Sequence, residues 1–391
     1  MQEVFYKRAV DQQVDRLSEG FPVIVISGPR QSGKTTYIRK RFKEYAYFNL
    51  ERLSDYEYIT ADIEGFLKRH PRNIILDEVQ KVPALFSALQ VHVDEMRDMG
   101  SVILSGSQNL LLSENISQSL AGRVAHIALY PFSITELATH RLLRDDVWEQ
   151  IVMGGYPALY SRKVTSADFY NNYISTFIER DVRLIKNVGS LAQFKTFMVL
   201  LAGRVGQLVE LSSLAADVGV SPNTIKSWIS VLEASYVIFT LPPYLTNVRK
   251  RVVKSPKVYF HDTGVLCALL GIDSAQELYA HYARGSIFEN FIITELVKIK
   301  AQRGDSSKLY FYRDNNKTEI DVVVDTGART IPVEIKSARS FTKSFAATMQ
   351  RLQQTVVGDE GFVIYTGERT LSLGKNMVVP WKDVDKIYRQ E

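Results

Sequence analysis

Nine consecutive residues near the amino end combine glycine, lysine and threonine in a pattern suited to holding phosphate. The pattern G-x-x-x-x-G-K-[ST] is matched by the first eight residues of the run Gly28-Pro29-Arg30-Gln31-Ser32-Gly33-Lys34-Thr35-Thr36. The two glycines permit a backbone curl whose N–H groups point inward at a phosphate. Lys34 would place its ammonium on the β- and γ-phosphates of a nucleotide, and the Thr35 hydroxyl would ligate Mg²⁺.

Two adjacent carboxylates, Asp77 and Glu78, follow the apolar run Ile74-Ile75-Leu76. A buried parallel strand delivers the residues at its carboxyl end to the sheet edge where phosphates bind. We therefore expect Asp77 to hold Mg²⁺, directly or through water, and Glu78 to orient and deprotonate the attacking water. An Asp-Glu pair is also common on surface turns, so this interpretation depends on its position downstream of the phosphate-binding pattern.

A third apolar strand begins at Val102 and ends in small polar residues. In P-loop ATPases with an additional strand, this position holds a sensor for the lytic water or the γ-phosphate; Ser107 is the first candidate and Gln108 the second. The alternative is a serine that only caps the following turn. Arg123 is a candidate arginine finger for a neighbouring subunit, with an ordinary surface arginine as the alternative.

Near the carboxyl end, Glu289, Asp321, Glu334 and Lys336 have the order and spacing of a PD-(D/E)xK nuclease core. Asp321 and Glu334, on neighbouring predicted strands, would converge on one divalent cation. Lys336, two residues beyond Glu334, points to the same face and would steer or activate water for attack on a phosphodiester. Glu289, on a preceding predicted helix, would complete the metal shell. Inactive domains of this fold serve as binding scaffolds, so binding without cleavage stays open.

Between these two groups, residues 211–233 have the pattern of a helix, a turn at Gly219 and a second helix that begins at Ser221-Pro222. Strands predicted at residues 236–241 and 257–260 would complete a winged helix. The segment between the strands carries cations that would neutralise DNA phosphates: Arg249, Lys250, Arg251, Lys254 and Lys257. The alternative is a packing module with a solvated basic hairpin.

These groups predict an α/β fold: the parallel sheet of an AAA-type P-loop NTPase, a helical region, a winged helix and an α/β domain like restriction endonucleases. The predicted boundaries are residues 1–140 for the ATPase domain, 141–204 for the helical region, 205–262 for the winged helix and 263–391 for the nuclease-like domain. An amphipathic helix is predicted over residues 3–19, and Gly154-Gly155-Tyr156-Pro157 predicts a break between two helices.

The composition is that of a globular protein, with 46% hydrophobic and 23% charged residues among 391. The net charge of +5 is compatible with nucleic acid without requiring it. Cys267 is the single cysteine, which excludes an intrachain disulfide and a cysteine zinc site and suits a reducing compartment. With no signal-peptide pattern and no apolar run of membrane-spanning length, we expect a cytoplasmic protein without a membrane partner.

Several motifs together resemble a prokaryotic AAA-type ATPase family whose members carry a carboxyl-terminal domain of unknown function. They are the run 28–36, Leu76-Asp77-Glu78-Val79-Gln80, Leu104-Ser105-Gly106-Ser107-Gln108, Leu120-Ala121-Gly122-Arg123 and, further on, Pro131-Phe132-Ser133 and Gly154-Gly155-Tyr156-Pro157. The resemblance implies ATP and Mg²⁺ as ligands and the same nuclease-like carboxyl-terminal domain, but no substrate. AAA-type machines usually form rings, so a homo-oligomer is a further expectation.

Two functions of different classes follow from these expectations. One is an ATP-regulated enzyme that processes DNA. The other is a nucleotide-dependent switch or scaffold whose carboxyl-terminal domain binds protein or nucleic acid without cutting it. A transcriptional regulator that uses the winged helix is a weaker third, because nothing else in the chain resembles a ligand sensor.

Overall fold

The computed structural model of the protein describes residues 5–107, 120–177, 190–244, 255–313, 319–342, 345 and 360–388. The chain forms two compact units. The first unit comprises Met1–Pro131, Ala234–Tyr236 and Ala301–Gly304, and the second comprises Phe132–Glu233, Val237–Lys300 and Asp305–Glu391. Within the described ranges, none of the helices has both the length and the apolar character that crossing a membrane requires.

The first unit is built on a parallel five-stranded sheet with the order β2-β3-β4-β1-β5. Its strands are β1 (Val23–Ser27), β2 (Ala46–Asn49), β3 (Ile74–Asp77), β4 (Val102–Gly106) and β5 (Val124–Ala128). The glycine-rich run follows β1, and Asp77 ends β3. Strand β4 lies between these two, so all three predicted motifs reach the same edge of the sheet.

Helices cover both faces of this sheet: α1 (Asp11–Ser18), α2 (Lys34–Arg41), α3 (Leu53–Ala61), α4 (Ile63–Arg69) and α5 (Ala84–Met96). Every residue of β1 is buried. Val23 and Val25 belong to the apolar cluster on one face, and Ile24 and Ile26 to the cluster on the other. This alternation explains why the strand reads as a continuous apolar run rather than as an alternating one.

The amphipathic helix predicted over residues 3–19 is shorter than expected and begins at Asp11. Val10 and Val14 are buried as the pattern indicated, but Phe5 is 41% exposed. The non-helical residues before Asp11 carry Arg8, whose guanidinium donates hydrogen bonds to the carbonyl oxygens of Ser32 and Tyr130. A tertiary contact that the periodicity does not contain therefore sets the start of this helix.

The second unit begins with helices and includes a two-stranded antiparallel sheet. Its helices are α6 (Ile134–Thr139), α7 (Val147–Met153), α8 (Pro157–Ser161), α9 (Ser166–Phe177), α10 (Leu191–Ala202), α11 (Leu211–Val218), α12 (Pro222–Ala234), α13 (Thr263–Leu269), α14 (Ala275–Ala280) and α15 (Arg284–Arg303), and its two strands are β6 (Ile238–Leu241) and β7 (Lys257–Phe260).

The predicted break at residues 154–157 is present between α7 and α8. Gly154 has φ +65°, and a Cβ there would lie 1.9 Å from the hydroxyl oxygen of Tyr170. Helix α11 ends at Gly219 with φ +77°, and the Ser221 hydroxyl accepts a hydrogen bond from the Thr224 N–H at 3.1 Å. The helices and strands expected of a winged helix therefore occur in the predicted order.

A six-stranded mixed sheet completes the second unit, with the order β12-β13-β11-β10-β9-β8. Its strands are β8 (Lys308–Arg313), β9 (Glu319–Asp325), β10 (Thr330–Lys336), β11 (Gly361–Tyr365), β12 (Leu371–Leu373) and β13 (Asn376–Pro380), and a kinked 3₁₀ segment, Trp381–Tyr388, follows. β8, β9 and β10 form an antiparallel meander, and β11 pairs with β10 in parallel.

Candidate functional site

The phosphate-binding loop has a backbone that requires glycine at its first position. Gly28 has φ +152°, and a Cβ on it would lie 2.3 Å from the backbone oxygen of Leu129. Gly33, with φ +91°, is the amino-terminal cap of α2. The loop therefore turns directly from the end of β1 into the positive end of a helix, an arrangement that favours an anion.

Lys34 lies against the loop that precedes it. Its Nζ donates hydrogen bonds of 2.8 Å to the carbonyl oxygens of both Gly28 and Pro29, and the residue is only 6% exposed. Arg8 supports the same loop from the amino-terminal segment through the Ser32 carbonyl, at 3.0 Å. The position of the lysine is thus fixed by the loop before any phosphate arrives.

Asp77 is the point where the two predicted motifs meet. Its Oδ2 accepts hydrogen bonds from the Thr35 hydroxyl at 2.8 Å and the Tyr47 hydroxyl at 2.7 Å, and its Oδ1 accepts one from Ser105. Burial is the main cause that raises the pKa of Tyr47, and its bond to Asp77 adds to it. A hydroxyl beside a carboxylate is the oxygen donor set that Mg²⁺ prefers, so Thr35 and Asp77 fit this ion.

Glu78 occupies the left-handed region, with φ +58° and ψ +44°. Its Oε2 accepts hydrogen bonds from Gln80 Nε2 at 2.5 Å and from the Ser107 hydroxyl at 3.3 Å. Ser107 therefore lies beside the carboxylate predicted to be the base, as a sensor would. Gln108, the second candidate, lies outside the described residues.

Arg123 lies at the amino-terminal end of the strands, opposite the end that carries the phosphate loop. Its carbonyl oxygen accepts a hydrogen bond from the N–H of Val23, the first residue of β1, at 3.2 Å. Because β1 rises about 3.3 Å per residue, roughly 16 Å separate Arg123 from the loop after β1. Its guanidinium binds both carboxylate oxygens of Asp94, at 2.5 and 2.8 Å. Arg123 thus cannot serve the phosphate loop of its own chain, and a role toward a neighbouring subunit stays a prediction.

The second unit brings the four predicted carboxyl-terminal residues into one neighbourhood. Glu334 and Lys336 form an ion pair on one face of β10. On β9, Asp321 accepts a hydrogen bond from the Ile335 N–H at 2.7 Å, just beyond the last ladder pair between the strands. Glu289 on α15 is close enough for its charge to interact with Asp321.

Lys257 belongs to this acidic neighbourhood, which corrects its assignment to the group of DNA-facing cations. The residue is 2% exposed, and its Nζ lies 2.5 Å from Glu319 and 3.3 Å from Glu289. Tyr259, two residues along β7, donates a 2.5 Å hydrogen bond to Glu289. The charge run in the sequence did not distinguish this lysine from its neighbours; its position in a strand of apolar residues was the available signal. Arg249, Lys250, Arg251 and Lys254 lie outside the described residues.

Crowding of carboxylates changes their protonation. Burial, and next the nearby Asp321 carboxylate, raise the pKa of Glu289 to about 7 and that of Glu334 to about 8. Burial also raises the pKa of Asp321. These carboxyl groups therefore hold protons more tightly than ordinary acids, which is the behaviour of sites built for a cation or for proton transfer.

The fit of this second site to a divalent cation is partial. Glu334 Oε2 is buried, and no described residue donates a hydrogen bond to it, which suits a metal ligand. In contrast, the described ranges hold no group of three or more carboxylate, histidine or cysteine side chains arranged to bind a metal. Electrostatic proximity does not require ligand geometry, so we take Asp321 and Glu334 as two potential ligands rather than a complete shell.

Sequence reasoning missed Tyr47, Ser105, Gln80 and Arg8 around the nucleotide site. Ser105 lies in β4, two residues before Ser107, and the two-residue period of side chains along an extended chain is a signal that could have found it. Gln80 stands in the motif that carries Asp77 and Glu78. Tyr47 and Arg8 had no local signal, because only the pairing of distant segments brings them to the site.

Three family models match the chain, one after another. An AAA domain matches residues 20–138, a domain of unknown function (DUF8612) matches residues 144–276, and a second domain of unknown function (DUF4143) matches residues 284–384. The first match contains the phosphate loop, Asp77 and Glu78. The first unit is therefore an AAA-type P-loop ATPase domain, as the motifs predicted. The third match spans Glu289, Asp321, Glu334 and Lys336, and its description names no activity.

Among similar proteins, the uncharacterized protein MJ1637 of Methanocaldococcus jannaschii is 23% identical, over 96% of this chain and 86% of its own. The solved structure of the Walker-type ATPase paby2304 of Pyrococcus abyssi is 14% identical with a TM-score of 0.44, covering 68% of this chain and 96% of that one. At this score we draw no functional argument from it. The uncharacterized protein Rv2008c of Mycobacterium tuberculosis is 30% identical over 369 residues, covering 91% of this chain and 79% of its own. The chain therefore belongs to the same protein family as Rv2008c, with an AAA domain at residues 20–138.

Proposed function

We propose that the chain is an ATPase that binds MgATP at the phosphate loop and hydrolyses it. The observation that carries the proposal is the 2.8 Å hydrogen bond between the Thr35 hydroxyl and Asp77 Oδ2. It joins the helix after the phosphate loop to the carboxylate that ends β3, 42 residues further along the chain. In P-loop ATPases, these two positions hold Mg²⁺ between them.

Each residue of the site has one task in this mechanism. The loop N–H groups and the end of α2 bind phosphate oxygens, and the Lys34 ammonium bridges the β- and γ-phosphates. Thr35 and Asp77 hold Mg²⁺, which neutralises charge on the phosphates when bound. Glu78 takes a proton from the attacking water, and Ser107 keeps the Glu78 carboxylate in place. The bond between the γ-phosphorus and the bridging oxygen breaks, and its electron pair leaves with ADP.

Two substitutions test the ATPase. Lys34→Ala should lose ATP binding, measured by calorimetry, because the phosphates lose their ammonium partner. Glu78→Gln should still bind ATP but lower kcat by about 100- to 10,000-fold, the usual contribution of a general base. Lys40→Ala, an exposed lysine on the same helix as Lys34, is the matched control. Normal turnover by Glu78→Gln would refute the assignment of the base.

A second function is supported by Asp321, Glu334 and Lys336, which meet at adjacent strands with a buried carboxylate oxygen left for a cation. We propose that this nuclease-like domain binds a divalent cation through Asp321 and Glu334, with Glu289 nearby, and cuts a phosphodiester with water positioned by Lys336. Helix α15, the antiparallel meander β8-β9-β10 and the parallel strand β11 follow one another along the chain, and this order supports the likeness to PD-(D/E)xK nucleases. The alternative, a nucleotide-dependent switch or scaffold that binds without cutting, uses the same surface.

Plasmid nicking with Mg²⁺ or Mn²⁺ separates cleavage from binding. Asp321→Ala and Lys336→Ala should abolish nicking by the wild-type protein, while exposed Lys308→Ala should leave it unchanged. Equal nicking by all four proteins would identify a contaminant. Binding of a labelled duplex by wild-type protein that never nicks it would favour the scaffold.

The segment 205–262 supplies a winged helix in this proposal, with Arg249, Lys250, Arg251 and Lys254 as its DNA contacts. Replacing Arg249, Lys250 and Arg251 with glutamate should weaken duplex binding and reduce its dependence on salt. Unchanged binding would favour a packing role for the module. The proposal further places the protein in the cytoplasm, as a homo-oligomer in which Arg123 serves the neighbouring subunit.

A further inference from the structure

A short turn after β3 brings Gln80 back onto Glu78. Glu78 has the left-handed backbone described above, and the 3₁₀ turn Val79–Lys81 follows it. This turn places Gln80 Nε2 2.5 Å from Glu78 Oε2. A carboxylate only accepts hydrogen bonds, so the NH₂ group of the Gln80 amide must be the side that faces it.

Both donors to this carboxylate act on the same oxygen. Ser107 also donates to Glu78 Oε2, at 3.3 Å. In the part of the chain that the structure describes, no residue donates to Glu78 Oε1. Gln80 Oε1 is buried and likewise lacks a donor among those residues. Glu78 Oε2 is therefore held by two described residues, while Oε1 is left as the acceptor oxygen of the carboxylate.

We propose that Gln80 is a positioning residue for ATP hydrolysis, which orients the Glu78 carboxylate through its amide NH₂ group. The inference rests on the ATPase function proposed above. With Oε2 held by Gln80 and Ser107, the carboxylate is fixed with Oε1 left to take the proton of the attacking water. A base held in one orientation keeps that water aligned on the γ-phosphorus.

The step balances without further reactants. The water oxygen forms a bond to the γ-phosphorus, and its proton moves to Glu78 Oε1. The bond between the γ-phosphorus and the bridging oxygen breaks, and its electron pair leaves with ADP. Gln80 neither gains nor loses a proton; its amide NH₂ group holds the Glu78 carboxylate in place throughout the step.

Stability alone does not account for this arrangement. A buried acceptor without a donor costs folding free energy, so Gln80 Oε1 is placed at a disadvantage in the folded protein. The left-handed backbone of Glu78 adds a further cost for a residue other than glycine. Such costs concentrate where a site is arranged for a ligand, and here that ligand is a water beside the γ-phosphate.

Steady-state phosphate release and ATP calorimetry test the role. Gln80→Met keeps the length of the side chain but removes both polar groups, and Gln80→Ala removes the side chain. Each should lower kcat by about 10- to 100-fold, part of what a well-placed base contributes. KM and the ATP dissociation constant should stay within about twofold, because the lost contact is made in the transition state. The control is Lys81→Ala, an exposed residue of the same turn, which should behave as wild type.

A double-mutant cycle distinguishes positioning from a structural role. In the Glu78→Gln background, Gln80→Met should cause no further loss of kcat, because the group it orients is gone. Wild-type kcat in Gln80→Met, or the same fold-loss in both backgrounds, would overturn the role of Gln80 and leave the ATPase standing. A wild-type protein that binds ATP yet never releases phosphate would overturn the proposed ATPase and this inference together.

Discussion

In the first unit, Asp77 is surrounded by three neutral hydroxyls, whereas in the second unit Glu289 and Glu334 face other carboxylates and two lysine ammonium groups. Each site combines acids carried by strands with a lysine, yet the partners that stabilise these charges differ between the two sites. Lys34 is bound by carbonyl oxygens of its own loop, while Lys257 and Lys336 are bound by acids.

The difference indicates which kind of ligand each site is suited to bind. Hydroxyls and carbonyls hold Asp77 and Lys34 in place without cancelling their charges, so both remain available to a ligand that brings its own anion and cation together, as MgATP does. In the second site burial, and next the neighbouring Asp321 carboxylate, raise the pKa of Glu289 and Glu334, and an added positive charge would stabilise their ionised forms. A cation is therefore the expected first ligand there.

The largest expected effect tests whether the second site depends on internal charge pairing. Lys257→Met should lower the free energy of unfolding by about 3–5 kcal/mol, because it removes a buried cation and leaves the partly buried Glu289 and Glu319 carboxylates without it. In the first site, Tyr47→Phe should cost only about 1 kcal/mol, since Asp77 keeps two other donors. Urea denaturation measures both, and exposed Arg339→Ala serves as the control. Equal costs for the two variants would remove the contrast.

The next effect tests the rigidity of the phosphate loop. Gly28→Ala would place a methyl group 2.3 Å from the Leu129 oxygen at φ +152°. Strain of this kind costs about 1–3 kcal/mol, and the loop should shift and lose ATP affinity. Gly20→Ala, where a Cβ meets no atom within 4 Å, is the matched control. Wild-type ATP affinity in Gly28→Ala would show that the loop geometry is not required.

A smaller effect concerns pH and the second site. Glu334 has a pKa of about 8 in the folded chain against an ordinary 4.5, so the folded state holds more protons between these values. Its contribution to stability therefore declines as pH rises through that window. Glu334→Gln, which resembles the protonated acid, should lose less stability than wild type over the same range. Denaturation at several pH values checks this, with exposed Glu368→Gln as control; parallel curves for wild type and Glu334→Gln would contradict it.

The smallest effect on folding is expected for Arg123. Its ion pair with Asp94 is on the surface, so Arg123→Ala should leave the thermal midpoint nearly unchanged. If Arg123 serves a neighbouring subunit, the same variant should lose ATPase activity while the wild-type activity rises with protein concentration. If Arg123 is an ordinary surface arginine, neither the ATPase activity of Arg123→Ala nor the concentration dependence of the wild type should change. Asp94→Asn should then also leave the ATPase activity unchanged.

Prediction from sequence succeeded where the relevant chemistry is local. The phosphate loop and the strand that ends in Asp77 are each defined by spacing within about a dozen residues. The neighbouring apolar runs were therefore enough to predict where both motifs lie. The start of the first helix was misjudged because Arg8 bonds to Ser32 and Tyr130, contacts that periodicity does not encode. Lys257 was misjudged because a charge run looks the same whether it is solvated or buried.

What the residues alone determined is the inventory: a glycine loop with Lys34 and Thr35, a strand delivering Asp77 and Glu78, and a second set of acids with Lys336. Only the tertiary structure decided the partners. Strand order brings Ser105 and Tyr47 into hydrogen-bonding contact with Asp77. It also places Arg123 at the end of the strands away from the phosphate loop. In the second unit, the position of β7 brings Lys257 into contact with Glu289 and Glu319. The physical reason is that spacing fixes a local backbone, whereas contacts across strands depend on a register that involves the whole chain.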